Sequence, residues 1–93
     1  YDETIRLDPQ DAAAYTNRGN AYDYLGQHQR AIDDYDEAIR LDPQDASAYV
    51  LRALAYTTLG NDQEAQQDID RAVELGFDRG GLESEIEELK NKR

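Results

Sequence analysis

Cysteine is absent from the 93 residues, and with it go disulfides, thiolate nucleophiles and cysteine-based zinc sites. The one histidine, His28, has no second imidazole or thiolate with which to share a metal, and its setting among Gln27, Gln29 and Arg30 reads as an exposed surface position. Long apolar runs are missing too. Nothing approaches the ~20 consecutive apolar residues of a membrane-spanning helix, and a mean hydropathy of -0.95 excludes a membrane-embedded chain. Positive charge is scarce: 10 Lys and Arg stand against 21 Asp and Glu, for a formal net charge of -11. That is the opposite of the basic stripe that follows a phosphate backbone, so nucleic acid is not an expected partner. A basic partner would be steered toward such a field, whereas the plain reading is a solvated surface. Catalytic frames are lacking as well. No nucleophile–base pair, glycine-rich phosphate loop or carboxylate dyad occurs in a recognisable setting, so neither enzymatic activity nor a cofactor is expected.

What is present is a repeat. Tyr1-Asp-Glu-Thr-Ile-Arg-Leu-Asp-Pro-Gln-Asp-Ala realigns with Tyr35-Asp-Glu-Ala-Ile-Arg-Leu-Asp-Pro-Gln-Asp-Ala after a shift of 34 residues, and about 21 of 34 positions are identical between the two windows. This period belongs to stacked helical arrays, in which one unit buries its apolar face only against its neighbours. Such an architecture favours a binding surface over a reaction.

Asp8-Pro9-Gln10-Asp11 and Asp42-Pro43-Gln44-Asp45 punctuate the repeat. The residue before proline is driven out of helical geometry, and the aspartate that follows can cap a new helix. From Asp11 the apolar set Tyr15, Tyr22 and Leu25, with small Ala14, Gly19 and Ala21 between, keeps helical spacing as far as Gly26, a C-cap signal. A second helix follows in each unit, carrying Ala31, Ile32, Tyr35, Ala38, Ile39 and Leu41 in the first. The pair recurs as Asp45 to Gly60 and Asn61 to Leu75, with Asn61 and Glu64 at capping-box spacing. Asp33, Asp34, Asp36 and Glu37 spread over different helix faces and meet Arg30 and Arg40 at i,i+4 spacing, as a salt-bridged solvated face does.

The ends differ from the middle. Residues 1–11 read as the remnant of a preceding repeat, followed by repeats at 12–45 and 46–79 and a C-terminal helix over 80–93, all in a single domain. Gly76-Phe77-Asp78-Arg79-Gly80-Gly81 replaces the Asp-Pro turn, and Gly80-Gly81 is a hinge or cap signal. Leu82, Ile86 and Leu89 then form one apolar stripe among glutamates, the pattern of a capping helix with water on its far side. Because Tyr1 falls inside a repeat, the chain reads as a section of a longer protein whose targeting segment would lie outside it. The absence of cysteine leaves the compartment open, and a cytoplasmic setting is the expectation. A surface around Tyr1 and Ile5, lacking its preceding helix, would favour weak self-association.

Tyr15-x2-Arg18-Gly19-x2-Tyr22, then Ala31-x3-Tyr35, then Pro43, and in the second unit Tyr49-x2-Arg52-Ala53-x2-Tyr56, then Ala65-x3-Ile69 with Phe77 in the proline position, resemble the tetratricopeptide repeat family. The resemblance implies an all-α right-handed solenoid of antiparallel helix pairs. Small residues at Gly19, Ala53, Ala31, Ala38, Ala65 and Ala72 would let helices approach, with tyrosines packed around them. Arg18 and Arg52 depart from the family, which more often places an apolar residue there. Asp34 and Asp68 offer each a repeated acidic partner, and a structural ion pair is the expectation over an anion site.

The resemblance also implies a concave face lined by the first helix of each pair. It nominates Ala13, Thr16, Asn17, Asn20, Asp23 and Tyr24 from one repeat and Ser47, Val50, Leu51, Leu54, Thr57 and Thr58 from the next as peptide-contacting residues. This face changes most between repeats, giving a polar half beside an apolar half that suits a peptide with both kinds of anchor or, equally, packing under the C-terminal helix. Family members that grip a C-terminal carboxylate use groove cations alongside asparagines; Asn17 and Asn20 are here without the cations. The implied function is a protein–protein interaction scaffold that binds a peptide or partner segment. The alternative is a structural or self-association module of a larger repeat protein.

Overall fold

A computed structural model describes residues 5–6 and 8–93. Five helices follow one another: α1 (Ala12–Tyr24), α2 (His28–Leu41), α3 (Ala46–Thr58), α4 (Asp62–Glu74) and α5 (Arg79–Lys92), with no strand among the described residues. Ile5 and Arg6 are also helical. Tyr1–Thr4 and Leu7, which belong to the expected N-terminal remnant and include the Tyr1 part of the expected self-association surface, lie outside the described residues.

The helix starts follow from aspartates. The Asp11 carboxylate accepts from the Ala14 N–H at 3.2 Å, Asp45 from Ser47 N–H at 3.0 Å and Asp78 from Gly81 N–H at 3.1 Å, each satisfying one of the donors a helix leaves open at its first turn. The Asp78 cap starts α5 at Arg79, so Gly80 and Gly81 lie within its first turn instead of forming a hinge ahead of it. The α1–α2 and α3–α4 turns close at Gly26 (φ 81°) and Gly60 (φ 83°), in the left-handed region that glycine enters without steric cost. There Gln27 N–H donates to Tyr22 O at 2.9 Å and Asn61 N–H to Tyr56 O at 2.8 Å, the crossed bonds of a Schellman end.

That closure overturns the expected capping box at Asn61. Its N–H, which Glu64 would have to accept, already belongs to Tyr56 O, and the Asn61 side chain makes no capping bond. Asp62 takes another role. Arg93 donates through Nη1 to Thr57 O at 2.7 Å and Asp62 Oδ1 at 2.8 Å, and through Nη2 to Asp62 Oδ2 at 2.7 Å, tying the end of α5 to the α3–α4 turn. The Arg93 guanidinium holds the Asp62 carboxyl below the usual carboxylate range.

Helices α1 and α2 pack as one pair and α3 and α4 as the next, α2 joins the pairs through α3, and α5 lies across α3 and α4. The result is an all-α solenoid with a C-terminal capping helix. Gly19 sits under the Tyr35 ring and close to Ala31 O, in the contact between the helices of the first pair. One core cluster gathers Ala31, Ile32, Tyr35 and Ala55 with Tyr22, Leu51 and Tyr56 against it; the other gathers Tyr49, Val50, Ala53, Ile69, Ala72, Leu82 and Ile86. Burying side chains such as Tyr35, Ile32 and Ile69 stabilises by about 1.5–3 kcal/mol each relative to exposure. Leu82 and Ile86 are 4% and 5% exposed, so the stripe read as a cap docks through these two, while Leu89 stays partly exposed.

The arginines at 18 and 52 form the expected ion pairs. Arg18 Nη2 lies 2.7 Å from Asp34 Oδ1 and its Nε 2.9 Å from Oδ2; Arg52 repeats both distances with Asp68. Each guanidinium also lies over two rings, Arg18 over Tyr15 and Tyr22 and Arg52 over Tyr49 and Tyr56, at 5.7–5.9 Å from the centroids, within cation–π range. The i,i+4 pairs expected for the acidic run on α2 do not form. Asp36 turns to Arg52 Nη1 at 2.8 Å, Arg40 pairs with Glu37 at i,i+3, and Arg30 donates to Gln27 and stacks on Tyr22.

Candidate functional site

A cleft of about 320 Å³ opens beside α5, where it packs on α3, and extends to the end of α1. Its lining comes from three places: Asp23 at the end of α1, Leu54 and Thr58 on one face of α3, and Glu85, Glu88, Leu89 and Lys92 on α5. Spacing explains the lining. Leu54 and Thr58 are one helical turn apart, and Glu85, Glu88, Leu89 and Lys92 recur at the three- and four-residue steps that share a helix face. Leu82 and Ile86 anchor α5 on α3 and α4, which turns this neighbouring face toward the cleft.

Of the twelve nominated residues, Asp23, Leu54 and Thr58 come together here. Leu54 is partly buried against the second core cluster, and Thr58 donates its hydroxyl to Leu54 O at 3.0 Å. Ala13, Asn17 and Asn20 are exposed on α1, away from the cleft lining, and Thr16 donates to Ala12 O at 3.2 Å. Asn20 Oδ1 accepts from the Tyr35 hydroxyl at 2.6 Å. Burial, with the nearby charges of Asp23 and Asp34, pushes that hydroxyl above the usual tyrosine range. Tyr24 is 92% exposed at the end of α1, and Ser47 is exposed in the first turn of α3.

The remaining three are not on an open face. Val50 is buried in the cluster that Leu82 and Ile86 complete, so α5 covers it. Leu51 packs toward the first pair, and Thr57 is fully buried, with Oγ1 donating to Ala53 O at 2.9 Å. Residues 50, 51, 54 and 57 mark how α3 is wedged between the first pair and the cap, a position that α1 does not share.

Sequence reasoning did not nominate the α5 side of the cleft. The signal was present: Glu85, Glu88 and Lys92 flank the Leu82–Ile86–Leu89 stripe at helical spacing, and the flank of a docked stripe faces whatever gap the docking leaves.

The lining is predominantly acidic, with three carboxylates and one ammonium. His28, read from the sequence as simply exposed, is half-buried and pairs through Nδ1 with Asp23 Oδ1. The turn at Gly26 folds α2 back on α1 and brings them together. Among the described residues no three histidine, aspartate or glutamate side chains gather as a metal ion would require, and no helix is long and apolar enough to cross a membrane.

Two family models, both described as tetratricopeptide repeat, match residues 12–45 and 34–67. No curated protein sequence matches the chain. Several solved structures are similar over nearly its whole length. The first TPR of Spaghetti (RPAP3), bound to the HSP90 peptide SRMEEVD, is 27% identical, with 99% of this chain and 73% of that one covered and a TM-score of 0.87. YrrB, a TPR protein with an unusual peptide-binding site, is 26% identical, with 98% and 47% covered and a TM-score of 0.83. The TPR2B domain of yeast Sti1, in complex with pHsp70, is 32% identical, with 99% and 75% covered and a TM-score of 0.82. With the repeat models spanning residues 12–67 and the helix pairs following those of known repeats, this chain belongs to the tetratricopeptide repeat family.

Proposed function

We propose that the chain is a protein-interaction module that seats a segment of a partner protein in the cleft between α1, α3 and α5, and that it acts by binding alone, without catalysis. The observation that carries this reading is the cleft itself, in which Asp23, Leu54 and Thr58 from the first helices of the two pairs meet the inner flank of α5. Its shape and chemistry suit a side chain with an apolar body. Leu54 and Leu89 supply apolar contact, and the carboxylates and Lys92 supply orientation. The packed pairs beneath hold these groups in place before a partner arrives, which limits the ordering cost of association. The Spaghetti domain is seen with an HSP90 peptide and the Sti1 domain in complex with pHsp70, both being similar to this chain over most of their length, which supports a peptide or protein partner here. The SRMEEVD peptide of the Spaghetti complex is rich in carboxylates, and the acidic lining of this cleft is poorly matched to such a sequence.

The test uses heptapeptides selected for binding from a random display library. Thr58→Tyr, which fills the cleft from an exposed position, should weaken selected peptides at least tenfold while helicity is unchanged. Asn17→Ala, outside the lining, should have little effect. Selected peptides that bind Thr58→Tyr as well as the parent would place the binding surface elsewhere.

A further inference from the structure

We propose that the cleft selects a cationic partner segment, with a lysine or arginine whose aliphatic stem lies along Leu54 and Leu89 and whose charged head lies among Glu85, Glu88 and Asp23. This rests on the reading of the cleft as the binding surface and names the chemistry of its occupant.

The distribution of arginines carries the inference. Arg18 and Arg52 are committed to Asp34, Asp36 and Asp68, Arg93 to Asp62, Arg79 to Asp70 and Glu83, and Arg40 to Glu37. Glu85 and Glu88 form no ion pair among the described residues, and Lys92 is the one cation in the cleft lining. Asp23 has His28 as its partner, so Glu85 and Glu88 are the two carboxylates of the cleft lining that no cation of the described residues engages. In a concave site with low-dielectric walls, the field of such groups is focused inward. At physiological salt the Debye length is about 8 Å, so the lining carboxylates govern a bound charge and the remaining acidic residues contribute little.

The apolar part narrows the occupant further. Leu54 and Leu89 are partly buried and present side-chain surface between the acidic walls. A bare cation gains nothing from them. Lysine and arginine do, because their methylene stems cover apolar surface while the head stays among charges and water. An acidic segment would set like charges against Glu85 and Glu88 and find one compensating ammonium.

The experiment titrates the isotope-labelled 93-residue chain with acetyl-ALKALKA-amide and acetyl-ALEALEA-amide at 0.15 M salt, followed by amide chemical shifts. The lysine peptide should shift Leu54, Thr58 and Leu89 and bind at least tenfold tighter than the glutamate peptide. Glu85→Gln with Glu88→Gln should weaken the lysine peptide about tenfold. Asp33→Asn with Glu64→Gln, which removes the same charge from exposed positions outside the cleft, should leave it within about twofold. Equal losses from both double variants would mean attraction to net charge and would overturn the inference. So would equal or tighter binding of the glutamate peptide at the same amides, which would nevertheless leave the cleft as the binding surface. If neither peptide shifts those amides, the cleft reading falls with the inference. Cleft shifts that depend on protein concentration without any peptide would assign the cleft to a second copy and also overturn it.

Discussion

Tyr35 closes over Gly19 so tightly that a β-carbon at position 19 would lie 2.7 Å from Tyr35 Cε1 and 3.2 Å from Ala31 O. One repeat later the equivalent positions are Ala53 and Ile69, which share the second core cluster. The two repeats solve the same packing problem differently, a large ring over no side chain in one and a smaller branched chain over a methyl in the other.

Gly19→Ala should therefore destabilise the chain. Helix propensity favours alanine by about 1 kcal/mol, but overpacking costs about 1–3 kcal/mol where a buried ring must move, so a net loss near 1 kcal/mol is expected in urea unfolding. Combined with Tyr35→Ile, the change copies the second repeat, and the cycle should show favourable coupling. Strictly additive effects would mean that the Tyr35 ring yields freely.

Arg52→Ala leaves Asp68, only 4% exposed, without its bidentate partner, and should cost about 3 kcal/mol. Arg52→Met with Asp68→Leu removes both charges and should lie within about 1 kcal/mol of the parent, because the desolvation penalty leaves with the pair. Similar losses from the single and double changes would show that stacking on Tyr49 and Tyr56, not charge pairing, is what Arg52 supplies.

The same pair sets a pH dependence. Burial raises the Asp68 carboxyl above its ordinary value against the pull of Arg52, and removing Arg52 leaves burial unopposed. A carboxyl raised in the folded state binds protons there more readily than in the unfolded chain, so its contribution to stability falls as pH rises from its unfolded value through its folded one. The deficit of Arg52→Ala should accordingly shrink between pH 7 and pH 4. A deficit that is constant over this range would show that Asp68 does not titrate there.

Docking of α5 depends on Leu82 and Ile86. Ile86→Ala should cost about 2–4 kcal/mol through the cavity it leaves, and amide exchange should quicken along the whole helix. Arg93→Ala acts at the far end and should speed exchange in the last turn of α5 alone. Uniform quickening in Arg93→Ala would make the contact with Thr57 O and Asp62 the principal anchor.

Features that depend on a few neighbouring residues were legible in the sequence. The caps at Asp11 and Asp45, the glycine ends at 26 and 60 and the small–large alternation around Gly19 and Ala53 each express local geometry or a repeat-wide contact. Competition hid other features: the Asn61 capping box fails because its N–H serves the preceding helix, and Asp36 prefers Arg52, 16 residues away, to Arg40 on its own helix. The candidate site was half legible for a related reason. Asp23, Leu54 and Thr58 lie on the face that the family resemblance implies, but which of their neighbours stay open depends on where α5 settles.

The contact between Asp36 and Arg52 crosses from one helix pair to the next, while Arg52 and Asp68 stay within a pair. One guanidinium is therefore both an internal brace and a splice, and neither pair can loosen without disturbing the other. A unit joined this way carries its own connector. Added copies of residues 35–68 would bring Asp36, Arg52 and Asp68 with them, and the array would lengthen as a chain of coupled links whose melting grows sharper, not broader, with each repeat.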